Sequence, residues 1–96
     1  MPIERISLAD VEAEWAQNRM PEKRADGLLQ EIVVDEGPAT NPRYDGGTHR
    51  IIVLLTRNGR HIGTLHEIEM PDGSKPHLHV KDYTRRDCTR IGPPIW

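Results

Sequence analysis

The histidines of this chain are the residues whose type and spacing could do chemistry. His77 and His79 stand one residue apart in "PDGSKPHLHVKD", directly after a turn that contains proline and glycine. An imidazole has an ordinary pKa of about 6.5, so it can accept or donate a proton near neutral pH, and its nitrogens also bind metal ions. The first question is therefore which other side chains the fold brings to this pair.

Two tight turns predict the neighbours of the pair. Asn58-Gly59 is the strongest short hairpin signal, and Asp72-Gly73 forms the centre of a second turn. Antiparallel pairing across both turns sets His66 directly opposite His79, with the two Cβ atoms expected ~5 Å apart.

Side chains of a strand alternate between the two faces of a sheet, so the pairing also predicts which histidines lie together. Four of them project from one face, here called the histidine face: His49, His66, His77 and His79. The same alternation predicts that His61, Glu67 and Asp82 lie on the opposite face.

The elements that must position these residues indicate an α+β domain spanning residues 1–96. An N-terminal helix over about residues 8–19 is capped by Ser7 and presents Leu8, Val11 and Trp15 as one apolar stripe. This helix is expected to pack on an antiparallel meander sheet of four to five strands. The predicted strands cover about residues 28–35, 48–57, 60–70, 75–82 and 87–91.

Composition bounds the class of protein. The chain has 96 residues, a net charge of −2, a single cysteine and no phenylalanine. One cysteine excludes an intramolecular disulfide and a cysteine-rich zinc site, and the balanced charge gives no global basic field. The N-terminus lacks the apolar segment of a signal peptide, and no apolar run approaches the ~18 residues of a membrane helix. We therefore expect a cytoplasmic protein that does not engage a membrane.

The first functional hypothesis is a metal site. Zinc prefers three or four ligands, and imidazole nitrogens are among the groups that it binds. His66, His77 and His79 would supply three ligands and His49 a fourth, so zinc or another divalent transition metal would be the cofactor. A site with three histidines and an open position would be of the catalytic kind.

The second hypothesis is a small hydrolase that cleaves RNA without a metal. His66, His77 and His79 would act as general base and general acid, and Lys81 and Arg85 would stabilise the charge that develops on the phosphate. A small protein with a helix followed by an antiparallel sheet that carries histidine, arginine and lysine is similar in plan to the compact bacterial ribonuclease toxins. That resemblance implies RNA as the partner.

The third hypothesis is the one that the sequence alone favours: a small intracellular interaction or regulatory module. Only 35% of the residues are hydrophobic, which predicts a small core and apolar surface that another chain would cover. The partner would be another protein or a second copy, bound through the histidine face or an exposed sheet edge. The sequence leaves open whether the protein is an enzyme.

Overall fold

The computed structural model describes residues 3–94 as a small α+β domain in which two helices pack on an antiparallel-rich sheet of six strands. The helices are α1 (Leu8–Gln17) and α2 (Met20–Ala25). The strands are β1 (Glu4–Arg5), β2 (Gln30–Pro38), β3 (Thr48–Leu55), β4 (His61–Glu69), β5 (His77–Thr84) and β6 (Arg90–Gly92). A 3-10 turn, Pro42–Tyr44, lies between β2 and β3. Residues 1, 2, 95 and 96, which the single-domain prediction includes, lie outside the described part.

The predicted counts of one helix and four to five strands are wrong. The strand order is β1-β6-β5-β4-β3-β2, and all neighbours are antiparallel except β1 and β6, which are parallel. With two residues, β1 is too short to show any alternation in the sequence, and it forms because it pairs with β6. The predicted helix over 8–19 ends at Gln17, because Arg19 adopts a left-handed conformation before α2 begins.

The start of α1 follows from its sequence. The side chain of Ser7 accepts a hydrogen bond from the backbone N–H of Asp10 at 3.1 Å, as expected of an N-cap residue. Val11 and Trp15 are buried, whereas Leu8 remains 39% exposed. Both buried side chains join a core on one face of the sheet, here called the core face, whose other members are Met20, Ile52, Leu54, Leu65, Val80, Tyr83 and Ile91.

The predicted register is confirmed along most of β3, β4 and β5, including the pairing of His66 with His79. It fails at two β-bulges. Leu54 pairs with Gly63 but Leu55 pairs with His61, so Ile62 is the extra residue of the first bulge. In β5, Lys81 is the extra residue of the second. A bulge shifts the alternation by one residue beyond it.

The buried carboxylate Glu67 links α2 to the sheet. Its side chain is 2% exposed and accepts a hydrogen bond from Arg24 at 3.0 Å, while the Lys75 ammonium lies 3.3 Å away. Burial alone would raise the pKa of Glu67, but the hydrogen bond from Arg24 and the charges of Arg24 and Lys75 together hold this pKa below its ordinary value. As predicted, the carboxylate lies on the core face, away from the histidines.

Replacing Glu67 with glutamine should destabilise the protein at pH 7 by about 1–3 kcal/mol, because the half-buried Arg24 guanidinium loses a charged acceptor. The stabilisation by the carboxylate is complete above pH ~4.5 and is lost as the pH falls through its lower folded-state pKa. The difference between wild type and Glu67→Gln in urea unfolding should therefore shrink below that pH. The exposed Asp35→Asn is the control, and a constant difference from pH 7 to pH 3 would contradict the prediction.

A histidine groove on the open face of the sheet

The four histidines of the histidine face lie in an unbroken series of ring contacts. Ring centroids are 5.8 Å apart for His49 and His66, 5.3 Å for His66 and His77, and 6.1 Å for His77 and His79, all with edge-to-face geometry. Pairing of β3, β4 and β5 produces this arrangement, since Ile51 faces His66 and Ile68 faces His77 across the strands. Four titratable rings thus occupy neighbouring positions on one surface.

The segment between β2 and β3 folds over one end of this surface. The ring of Tyr44 lies 6.0 Å from that of His77, at 43°. A Cβ at Gly47 would stand 2.9 Å from the sulfur of Met70 and 3.1 Å from Ile68 Cγ2, so only glycine allows this close approach. Between the segment and the sheet lies a groove of about 550 Å³, here called the histidine groove.

The histidine groove is lined without any carboxylate among the residues that the structure describes. Its polar lining consists of Thr40, Asn41, Tyr44, His49, His66, His77 and Lys81. In a chain of net charge −2, this part of the surface therefore carries neutral or positive groups only. Such a lining suits an anionic ligand, because an anion meets hydrogen-bond donors and no like charge.

Burial and mutual repulsion act on the central imidazoles. Burial lowers the pKa of His66, and a positive charge on His77 or His49 lowers it further. Burial also lowers the pKa of His79, and positive charges on His77 and Lys81 lower it further, whereas the carboxylate of Glu12 acts in the opposite direction. The two rings are thus neutral at pH 7 in the free protein, and His79 is the one with a negative charge favouring its protonation.

The two bulges bring further polar residues to the histidine face, which corrects two predictions. His61 Nδ1 lies 3.0 Å from Thr84 Oγ1, and its Nε2 lies 3.3 Å from Thr64 Oγ1 and 3.4 Å from Asp82 Oδ1. Asp82 is also paired with Arg90 at 3.3 Å. His61 and Asp82 therefore lie on the histidine face rather than opposite it, because one extra residue in β4 and one in β5 reverse the alternation.

Of the two predicted cations, only Lys81 lines the histidine groove. Arg85 donates two hydrogen bonds to Glu14 of α1, at 2.8 and 2.7 Å, which hold its guanidinium at the helix. The prediction that Arg85 lies beside the histidines is therefore wrong. Lys81 lines the groove and is exposed. It is the cation that the strands place beside the imidazoles.

The chain was compared with family models, curated proteins and solved structures. None of them matches.

The geometry also bears on the predicted metal ligands His49, His66, His77 and His79. Within residues 3–94, no group of three or more histidine, cysteine, aspartate or glutamate side chains is arranged to hold a metal ion. The rings meet edge to face.

The described part of the chain also contains no helix with the length and apolar character needed to cross a membrane.

Sequence reasoning missed Tyr44, His61 and Asp82 as members of this face. A signal for the positions of His61 and Asp82 was present in the spacing of the apolar residues. Ile62 and Leu65, like Val80 and Tyr83, are three residues apart, so strict alternation cannot place both members of either pair in the core. Nothing in the local sequence indicates where Tyr44 lies.

Proposed function

We propose that the histidine groove binds RNA and cleaves its phosphodiester bonds without a metal ion. The observation that carries this proposal is the contact series of four imidazoles. Three of them, His49, His66 and His77, line a groove together with Lys81, and this groove has no carboxylate in its described lining. Phosphodiester cleavage through the neighbouring hydroxyl needs a base, an acid and a cation, and this groove supplies candidates for all three.

His66 is the proposed general base. Its ring is neutral at pH 7 because its pKa is lowered by burial and by the neighbouring imidazoles. In the proposed step it takes the proton of the ribose 2′-hydroxyl, and the 2′ oxygen forms a bond to phosphorus. Lys81 interacts with the non-bridging phosphate oxygens, where negative charge accumulates.

His79 is the proposed general acid. It lies directly across the strands from His66. Burial and the charges of His77 and Lys81 lower its pKa in the free protein, and Glu12 alone favours its protonated form. The negative charge of a bound phosphate favours that form further. As the bond from phosphorus to the 5′ oxygen breaks, His79 donates its proton to this oxygen. The products are a 2′,3′-cyclic phosphate and a free 5′-hydroxyl, so protons and charges balance without an external reactant.

The test is incubation of a single-stranded RNA oligonucleotide with protein that carries no histidine tag, in buffer containing EDTA. Fragments ending in a 2′,3′-cyclic phosphate should accumulate, and the same sequence as DNA should remain intact because it lacks the 2′-hydroxyl. Cleavage of the DNA, or no cleavage of RNA across pH 5–8, would end this proposal.

A second candidate function, an interaction module, is supported by a different surface. β2 is the edge strand of the sheet, and it is exposed along nearly its whole length. Ile32, Val33 and Val34 are 45–58% exposed. An edge strand with free backbone groups and exposed apolar side chains can pair with an extended segment of another chain.

The charges of β2 indicate which partner this edge would accept. The strand carries Glu31, Asp35 and Glu36 and no basic residue; Glu31 is paired with Arg24 and Glu36 with Arg50, and Asp35 is exposed. Antiparallel pairing of two copies would bring like charges together across the strands, which is destabilising. We therefore propose an extended partner segment with alternating apolar and basic residues, in place of a second copy.

Replacing Val34 with lysine should abolish binding to this edge while leaving the fold intact. A synthetic peptide of alternating valine and lysine is the probe, and NMR shifts of the β2 amides are the measurement. Leu78→Lys is the matched control, since Leu78 is 48% exposed on β5, an inner strand of the sheet. Unchanged β2 amides in the wild type, or a dimer by light scattering, would contradict the proposed partner.

A further inference from the structure

A second cavity adjoins the histidine groove at the other side of Lys81. It has a volume of about 710 Å³, and its lining includes His79 and Lys81. We call it the terminal pocket because its walls come from residues near both ends of the described chain. Lys81 lines both cavities, so a ligand bound by this lysine extends into both.

The lining of the terminal pocket combines apolar and polar side chains. Ile3, Leu8, Pro93 and Pro94 are its apolar members, and Arg5, Ser7, Thr64 and Asp82 line it together with His79 and Lys81. The β5 bulge at Lys81 turned Asp82 toward this face. A cavity with apolar side chains and a few polar groups suits a planar heteroaromatic ring.

Two polar atoms of this lining are left without a hydrogen-bond partner. Asp82 is 8% exposed, and its Oδ1 receives no hydrogen bond, although His61 Nε2 lies 3.4 Å away; its Oδ2 is paired with Arg90 at 3.3 Å. His79 Nε2 is likewise buried and unpartnered. Buried polar atoms normally have partners, so an unpaired carboxylate oxygen at a cavity indicates a site for a donor from a ligand.

An aspartate carboxylate only accepts hydrogen bonds, which restricts the ring that would bind. Among the RNA bases, guanine alone presents two adjacent donors, N1–H and the N2 amino group, on its pairing edge. Adenine, cytosine and uracil each place an acceptor next to their donor. Each carboxylate oxygen can accept two hydrogen bonds, so guanine is the base that Asp82 is suited to bind while its Oδ2 stays paired with Arg90.

From these observations we infer that the terminal pocket binds guanine, with Asp82 accepting from its N1–H and N2 amino groups. This inference rests on the proposed function, because the guanosine 3′-phosphate would then lie at Lys81 between His66 and His79. Cleavage would occur on the 3′ side of guanosine.

Calorimetry with nucleoside 3′-monophosphates tests this inference independently of cleavage. Guanosine 3′-monophosphate should bind roughly 10- to 100-fold more tightly than the adenosine, cytidine and uridine compounds. Inosine 3′-monophosphate, which lacks only the N2 amino group, should lie between them. This comparison needs no variant, so a folding defect cannot obscure it. Equal affinities for all five compounds, or no binding of any, would overturn the inference.

Two variants sharpen the test. Asp82→Asn should reduce the preference for guanosine by about tenfold, because an amide offers one acceptor where the carboxylate offers two. Leu8→Trp, at a position 39% exposed on the rim, should weaken guanosine binding by filling the pocket. Preferential guanosine binding without RNA cleavage would overturn the proposed activity and leave the pocket assignment standing. Cleavage with equal rates after all four bases would support the proposed activity and overturn the assignment of the terminal pocket to guanine.

Discussion

Replacing His66 with glutamine is expected to lower the rate of RNA cleavage by about 100- to 10,000-fold, the range that removal of a general acid or base produces. Glutamine keeps the approximate volume and polarity of the ring but cannot take a proton at neutral pH. His79→Gln is expected to have an effect of similar size. The measurement is kcat/KM on an RNA oligonucleotide for each variant and for wild type.

The pH profile separates catalysis from a structural effect. The profile of kcat/KM reports the pKa values of the free protein, and the base must be neutral to act. Since burial and the neighbouring rings lower the pKa of His66, activity should persist below pH 6.5 and fall only as the pH drops through the lowered pKa of His66. In His66→Gln this acid limb should disappear.

Asp35→Asn provides the control for these variants. Asp35 is exposed on β2 and absent from the groove lining, so cleavage should change by less than about threefold. Full activity of both His66→Gln and His79→Gln, each purified in the same way as wild type, would show that the imidazoles do not carry the reaction.

The histidine face was largely predictable, because two short turns determine it. Asn58-Gly59 and the turn around Asp72-Gly73 set the register of three strands, and register alone brings His66 opposite His79. Helix α1 was predictable for a similar reason, since the Ser7 cap and the stripe of Val11 and Trp15 are local signals. Information of this kind lies within a few residues of the element that it determines.

The rest depended on contacts between distant residues. In strict alternation Asp82 would share the core side with Val80, and Tyr83 would face the groove. The bulge at Lys81 exchanges them, so Tyr83 is 4% exposed in the core and Asp82 pairs with Arg90. The bulge is favoured because it buries the Tyr83 ring and pairs the Asp82 carboxylate. The residues that make these contacts, Trp15 and Arg90, lie in other elements, so the local sequence does not indicate the bulge.

Local sequence also concealed the edges of the sheet. β1 is two residues long and exists only through its pairing with β6, which lies more than 80 residues along the chain. The segment that covers the end of the histidine groove is irregular, and its position depends on contacts of Tyr44 and Gly47 with distant side chains. Loops of this kind carry few local signals, and they shape both the groove and its access.

Trp15→Ala is expected to have the largest effect on stability, a loss of about 3–5 kcal/mol. The indole is 5% exposed and meets Tyr83 edge to face at 6.0 Å. It lies so close to β4 that a Cβ on Gly63 would stand 3.1 Å from Trp15 Cζ3. A cavity at this point cannot be filled by small movements, because strand backbone forms its floor.

For a domain of this size the expected loss is a large fraction of the free energy of unfolding, about 5–14 kcal/mol. Urea unfolding followed by circular dichroism measures it, with Leu8→Ala as the control from the same helix stripe at an exposed position. Trp15→Phe should lose less and remain folded. Because Trp15 packs against Tyr83 beside the Lys81 bulge, Trp15→Phe should also weaken guanosine 3′-monophosphate binding in the terminal pocket. A loss below about 1 kcal/mol for Trp15→Ala would mean that α1 does not anchor the core as the structure describes.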